Sequence, residues 1–154
     1  NSYVSSRLDY CDSHYYGLPD SSLYKLQRVR NTLARVVYPY VKRHHHITPI
    51  LRKLHWLPIK ERILFKIATF TCTTLKINSY MFNPLTRHNP SRSLRSIHQH
   101  KLVCPRIDSA NGRRSFSYTA PTTCNSLPFH LRSLDTIQTF HSHLKTHLFP
   151  TSPT

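Results

Sequence analysis

Three groups of side chains have the types and spacing that chemistry asks for. Asp9 and Asp12 flank Tyr10 in "LDYCD" and form the only close acidic pair; paired carboxylates of this kind can hold a divalent cation for phosphoryl transfer. His44, His45 and His46 are contiguous, and His143 and His147 stand four residues apart, the spacing at which two imidazoles share a helix face and ligate zinc. Cys11, Cys72, Cys104 and Cys124 complete the metal-binding and redox-capable set.

Each group falls short. The remaining acids are Asp20, Asp108, Asp135 and Glu61, too few and too scattered for a nuclease or polymerase centre, so Asp9 is expected at a helix end or in a salt bridge. A closed zinc site needs four convergent ligands, and no acidic or cysteine partner lies near the histidines in sequence; solvated or helix-end positions are the plainer reading. The cysteines never fall as Cys-x-x-Cys, which fits ordinary thiols in a reducing compartment, with an assembled metal site or a disulfide as alternatives. Gly17 and Gly112 are the only glycines, so neither a glycine-rich phosphate loop nor a hydrolase elbow is encoded. No catalytic residue, metal or cofactor is expected in this chain.

The basic residues carry a stronger signal. Twenty-two Lys and Arg face six acids, a net charge of +16 with the twelve histidines neutral, and such self-repulsion is best relieved by a polyanion, nucleic acid first. Arg28, Arg30, Arg35, Lys42 and Arg43 crowd one helical stretch and its exit, while Arg92, Arg95, Lys101 and Arg106 punctuate a proline- and serine-rich stretch. Tyr38, Tyr40, Trp56 and Tyr80 lie among these bases, and each aromatic that stacks on an unpaired base contributes about 1–3 kcal/mol. The plain alternative is a solvated basic face over an aromatic core, and "LHWLP" places Trp56 among apolar neighbours that favour the core. The expected phosphate contacts are Arg28, Arg30, Arg35, Lys42, Arg43, Arg92, Arg95 and Arg106. Nothing resembles a groove-reading helix, a zinc finger or an RNP strand, so RNA or DNA is expected to be held by its backbone. No stretch approaches the roughly 20 apolar residues of a spanning helix, nor is there a signal-peptide core. No membrane partner is expected, and an intracellular location, cytoplasmic and nuclear, is.

The elements that would position these residues are mainly helical. Leu18-Pro19-Asp20 ends the opening segment, and Asp20 is expected to cap a helix with Leu23, Leu26, Val29, Leu33, Val36 and Val37 at helical spacing. Thr48-Pro49 opens a short helix over "TPILRKLHW". Pro58 opens "PIKERILFKIATFTCTTLKI", where Ile59, Ile63 and Ile67 adjoin Leu64, Ala68 and Leu75 on the most apolar face of the chain. Residues 83–100 read as a long basic proline/serine loop. "KLVCPR" and "RSFSYTA" are expected to pair as a short β-hairpin around Asn111-Gly112. Asp135 and Gln138 suit a capping box for a last helix with Ile137, Phe140, Leu144 and Leu148 on one face. The fold class expected is therefore mainly α, a small helical domain with a short β-hairpin. Its divisions are 1–19, a helical region 20–78, and 79–154 with the basic loop, short strands and C-terminal helix.

Seven phrases, in order, carry a resemblance: "SRLDYCDSHYYGLP", "KLQRVRNTLARVV", "HITPILRKLHWLPIKERILFKI", "PSRSLRS", "RRSFSYTAP", "CNSLPFHLRS" and "FHSHLKTHLF". Together they resemble the carboxy-terminal region of the polyprotein of LINE or jockey-type non-LTR retrotransposons, the part that follows the reverse transcriptase thumb. The resemblance implies that residues 1–19 are the end of that thumb, with Tyr10 and Tyr15 packing there. The family's Tyr/Phe-x-Asp-Asp palm motif is missing, so magnesium and RNA-directed DNA polymerase chemistry are expected only in the upstream domain. What it implies for this chain is non-catalytic help in binding RNA or DNA during target-primed reverse transcription, with the upstream reverse transcriptase as a partner. The alternatives are a purely structural packing partner of the thumb, or a decayed relic without function. Cys124 stands where members of that family carry tryptophan, and "NGRRSF" replaces a more acidic phrase.

Overall fold

The computed structural model describes residues 15–39, 45–77, 85–89 and 99–149. They fold as a mainly α structure with six α-helices: α1 Asp20–Val37, α2 Thr48–Lys53, α3 Ile59–Ile77, α4 Phe116–Ser126, α5 Phe129–Arg132 and α6 Ile137–Leu148. A 3-10 turn, Gly112–Arg114, precedes α4. None of these helices is long and apolar enough to cross a membrane.

Proline sets most of the starts. Pro19, Pro49, Pro58 and Pro128 stand at or beside the first residue of α1, α2, α3 and α5, where a missing N–H costs nothing and a fixed φ is already helical. Asp20 does not cap α1, as the sequence led one to expect. It lies inside the first turn and its carboxylate pairs with Lys60 Nζ at 2.7 Å. Gln27 of α1 supplies a cap elsewhere: its Oε1 accepts from the Ile59 N–H at the start of α3, at 2.8 Å. The expected Asp135–Gln138 capping box is likewise displaced by one residue. Thr136 caps α6, its hydroxyl accepting from the Thr139 N–H at 3.4 Å.

Helix α3 is the centre of the fold because its apolar residues cover two adjoining strips. Ile59, Ile63 and Ile67 bury against Leu23 of α1 and Ala120 of α4, with Tyr15, Tyr16 and Leu18 packed on the edge of this cluster. On the adjoining strip Ala68 meets Leu127, Leu131, Phe140 and Leu144 from the segment running through α5 and α6. Each buried Ile or Leu contributes about 1.5–3 kcal/mol relative to exposure. The helices on either side of position 78 therefore share two cores. A third cluster, Ala34 with Ile50 and Leu51, joins α1 to α2 and is edged by Tyr38 and Trp56.

The face that α1 buries differs from the stripe expected of it. Leu23, Arg30 and Ala34 are its buried residues, whereas Val29, Val36 and Val37 of the expected stripe are exposed. Ala34 is small enough for α2 to approach closely, and α1 turns toward it. Half of the apolar stripe is thereby left facing outward.

The expected β-hairpin does not form. Residues 116–120 of "RSFSYTA" begin α4, and Asn111-Gly112 leads into the 3-10 turn instead of a two-residue hairpin. Phe116 and Ala120 lie one helical turn apart and both meet the Ile59–Ile63–Ile67 face, so burial overrides the strand propensity of Phe, Tyr and Thr. Gly112 is required by close approach: a Cβ there would stand 2.5 Å from Ile107 Cγ2 and 2.7 Å from Ser109 Oγ. "KLVCPR" does make one antiparallel bridge, between Leu102 and Arg87, with the His88 N–H on the Lys101 carbonyl and the Val103 N–H on the Thr86 carbonyl, both at 2.9 Å. The Asn125 side chain clamps the same strand-like segment. Its Oδ1 accepts from the Leu102 N–H and its Nδ2 donates to the Leu102 carbonyl, each at 2.9 Å.

Candidate nucleic-acid interface

The eight expected phosphate contacts take different places. Lys42, Arg43, Arg92 and Arg95 lie outside the described residues. Arg28 is exposed on α1 and, with Lys25, Val29, Thr32 and Leu33, lines a shallow groove of about 410 Å³. Arg106 is exposed ahead of the 3-10 turn. Arg35 is half-buried and donates through Nη2 to the His45 carbonyl at 3.3 Å, tying the end of α1 to the entry of α2.

Arg30 is a correction. It is 3% exposed, and its guanidinium lies 5.3 Å from the centre of the Trp56 ring, so in this fold it packs the α1–α2 corner and does not face solvent phosphate. Trp56 stacks on that guanidinium at the edge of the third cluster, as the apolar setting of "LHWLP" implied. Tyr38 does the same with Lys53, whose Nζ lies 5.4 Å from the ring centre. These two aromatics are occupied by the protein's own cations; Tyr40 and Tyr80 lie outside the described residues.

A second basic group was not visible along the sequence. Lys76 of α3, Arg87, His100 and Arg132 of α5 line one cavity of about 70 Å³, floored by Ala68, Cys72, Leu102, Cys124 and Phe140. Lys76 Nζ donates to the carbonyls of Leu134 and Asp135, and Arg132 Nη1 donates to the Gln99 carbonyl. These acceptors are neutral, so the positive charges are positioned without being cancelled. Beside them the His100 ring stacks nearly parallel to Phe129, 10° between planes and 6.1 Å between centroids. These residues come from four separate stretches of the chain. No run, repeat or helical period links them, and the one available signal was Arg132 within "NSLPFHLRS".

The floor of the cavity holds two thiols. Burial pushes the Cys124 thiol up to about 11, an effect that the Arg132 charge opposes. Burial also raises Cys72, against the nearby Lys76. Both sulfurs therefore stay protonated at neutral pH and behave as small apolar groups. Cys72, Cys104 and Cys124 are free, and among the described residues no group of three or more His, Cys, Asp or Glu gathers as a metal site.

No protein-family model, curated protein or solved structure matches this chain. The functional reading rests on its own residues.

Proposed function

We propose that this chain is the non-catalytic carboxy-terminal region of a non-LTR retrotransposon reverse transcriptase polyprotein, and that it helps hold RNA or DNA by the backbone during target-primed reverse transcription. The observation that carries the binding is charge. Twenty-two Lys and Arg stand against six acids, so even if every carboxylate paired one-to-one, as Asp20 does with Lys60, the chain would keep a large positive excess. That excess is complementary to an external polyanion. The assignment to the retrotransposon family is supported by the seven ordered phrases of the sequence. Replacing the exposed Arg28 and Arg106 by Gln tests the binding: each change should weaken nucleic-acid binding about equally across sequences and lower the salt slope by about 1. Unaltered affinity and slope in the double variant would contradict it.

The outward face of α1 favours a second reading, a packing partner of the upstream thumb. Tyr24 is 64% and Val36 71% exposed, with Val29 and Val37 also in solvent, and exposed apolar faces of this kind mark protein contacts. Sedimentation separates the two. Self-association relieved by Val29→Lys and Val36→Lys, without nucleic-acid binding, would favour packing.

A further inference from the structure

The geometry points to the seam between α3 and α5 as the place where a single-stranded nucleic acid is held, with Phe129 stacking on an unpaired base and Lys76, Arg87 and Arg132 meeting the flanking phosphates. This rests on the nucleic-acid reading above and gives it a site. Three observations converge. Phe129 is a large apolar side chain left 49% exposed at the first position of α5, so one part of its ring is open while the other is backed by the near-parallel His100 ring. An aromatic ring held in place by a second ring is the platform that unpaired bases use without regard to sequence.

Next, Lys76, Arg87 and Arg132 share a cavity with that same His100, and among the described residues none of the three is paired with a carboxylate. A patch of three cations with no internal counter-charge is complementary to a polyanion and to little else. Last, the Gln99 carbonyl, accepting from Arg132 Nη1, holds the guanidinium at the cavity wall without cancelling its charge, and a guanidinium so placed can make charge-assisted bonds to a phosphate. A duplex offers phosphates but no free base face, so the stacking contribution is confined to single strands.

The test uses the whole chain and three labelled probes: oligouridylate, oligothymidylate and an RNA duplex, followed by fluorescence anisotropy at fixed salt. Phe129→Ala should weaken binding to both single strands by about tenfold and leave the duplex within about twofold, and Phe129→Trp should restore single-strand binding. Arg132→Gln should weaken all three probes. Single-strand affinity unchanged by Phe129→Ala, or lost equally for single strands and duplex and not restored by Phe129→Trp, would overturn the site while leaving backbone binding standing. If the unaltered chain binds none of the probes, the nucleic-acid reading itself fails.

Discussion

The Arg30 guanidinium lies over the face of Trp56, 5.3 Å from the ring centre, joining α1 to the turn that follows α2. The pair moves one arginine out of the basic surface and into the framework. Stacking of a largely desolvated guanidinium on Trp contributes about 2 kcal/mol, in addition to the apolar area that both side chains bury. Trp56→Ala should therefore destabilise the fold by about 2–3 kcal/mol, measured by urea unfolding. Arg30→Ala should cost about 2 kcal/mol and Arg28→Ala less than about 0.5. The same pair should separate in binding, where Arg28→Ala weakens nucleic-acid affinity and Arg30→Ala acts through stability.

Asn125 holds Leu102 by both backbone groups, as a neighbouring strand would. Removing it leaves a buried N–H and a buried carbonyl to find other partners. Asn125→Ala should destabilise by about 2–3 kcal/mol. Asn125→Asp should be no better, since a carboxylate can accept from the Leu102 N–H but repels its carbonyl. Thermal melting of the two variants decides this; an Asp variant as stable as the parent would contradict the two-point clamp.

Cys124 makes stability depend on alkaline pH. Its folded value is about 11 against an ordinary 9.0, so the folded state keeps its proton where the unfolded chain has lost it. The stabilisation is full below pH 9 and is lost as pH rises through about 11. It amounts to about 2–3 kcal/mol. Urea unfolding at neutral pH and at about pH 11 should show the parent losing that much more than Cys124→Ser. Parallel pH profiles for the two proteins would contradict the assignment.

Thr119 and Thr123 sit one helical turn apart on α4, both buried, with hydroxyls that find no hydrogen-bond partner among the described residues. A buried hydroxyl without a partner costs about 1–3 kcal/mol on mutational scales. Thr119→Val and Thr123→Val should each raise stability by about 1 kcal/mol, read as a higher melting temperature. A drop in melting temperature for both would place hidden acceptors beside them.

The helices were legible where local rules decide them. Pro19, Pro49 and Pro58 fixed starts, and the Ile59–Ile63–Ile67 and Phe140–Leu144 spacings fixed buried faces. Failures came where a distant partner decides. The face of α1 turns because Ala34 meets α2, and Arg30 is buried because Trp56 covers it; neither fact is local. Phe116 to Ala120 reads as strand by composition and becomes helix by burial against α3. The cavity cations are brought together by the packing of α3 against α5 and α6 and by the Arg87–Leu102 bridge, which sequence spacing cannot express.

Binding to single-stranded RNA, single-stranded DNA and duplex, each across a salt titration, tests the central claim most directly. Backbone binding predicts that log affinity falls linearly with log salt, with a slope of about 0.7 per phosphate contact on single strands and about 0.9 on duplex, and the Phe129 stacking platform adds that single strands keep the higher affinity near physiological salt. Binding that vanishes for all three probes at that salt would contradict the claim, leaving the +16 charge as unspecific attraction and α1 as a face for protein packing.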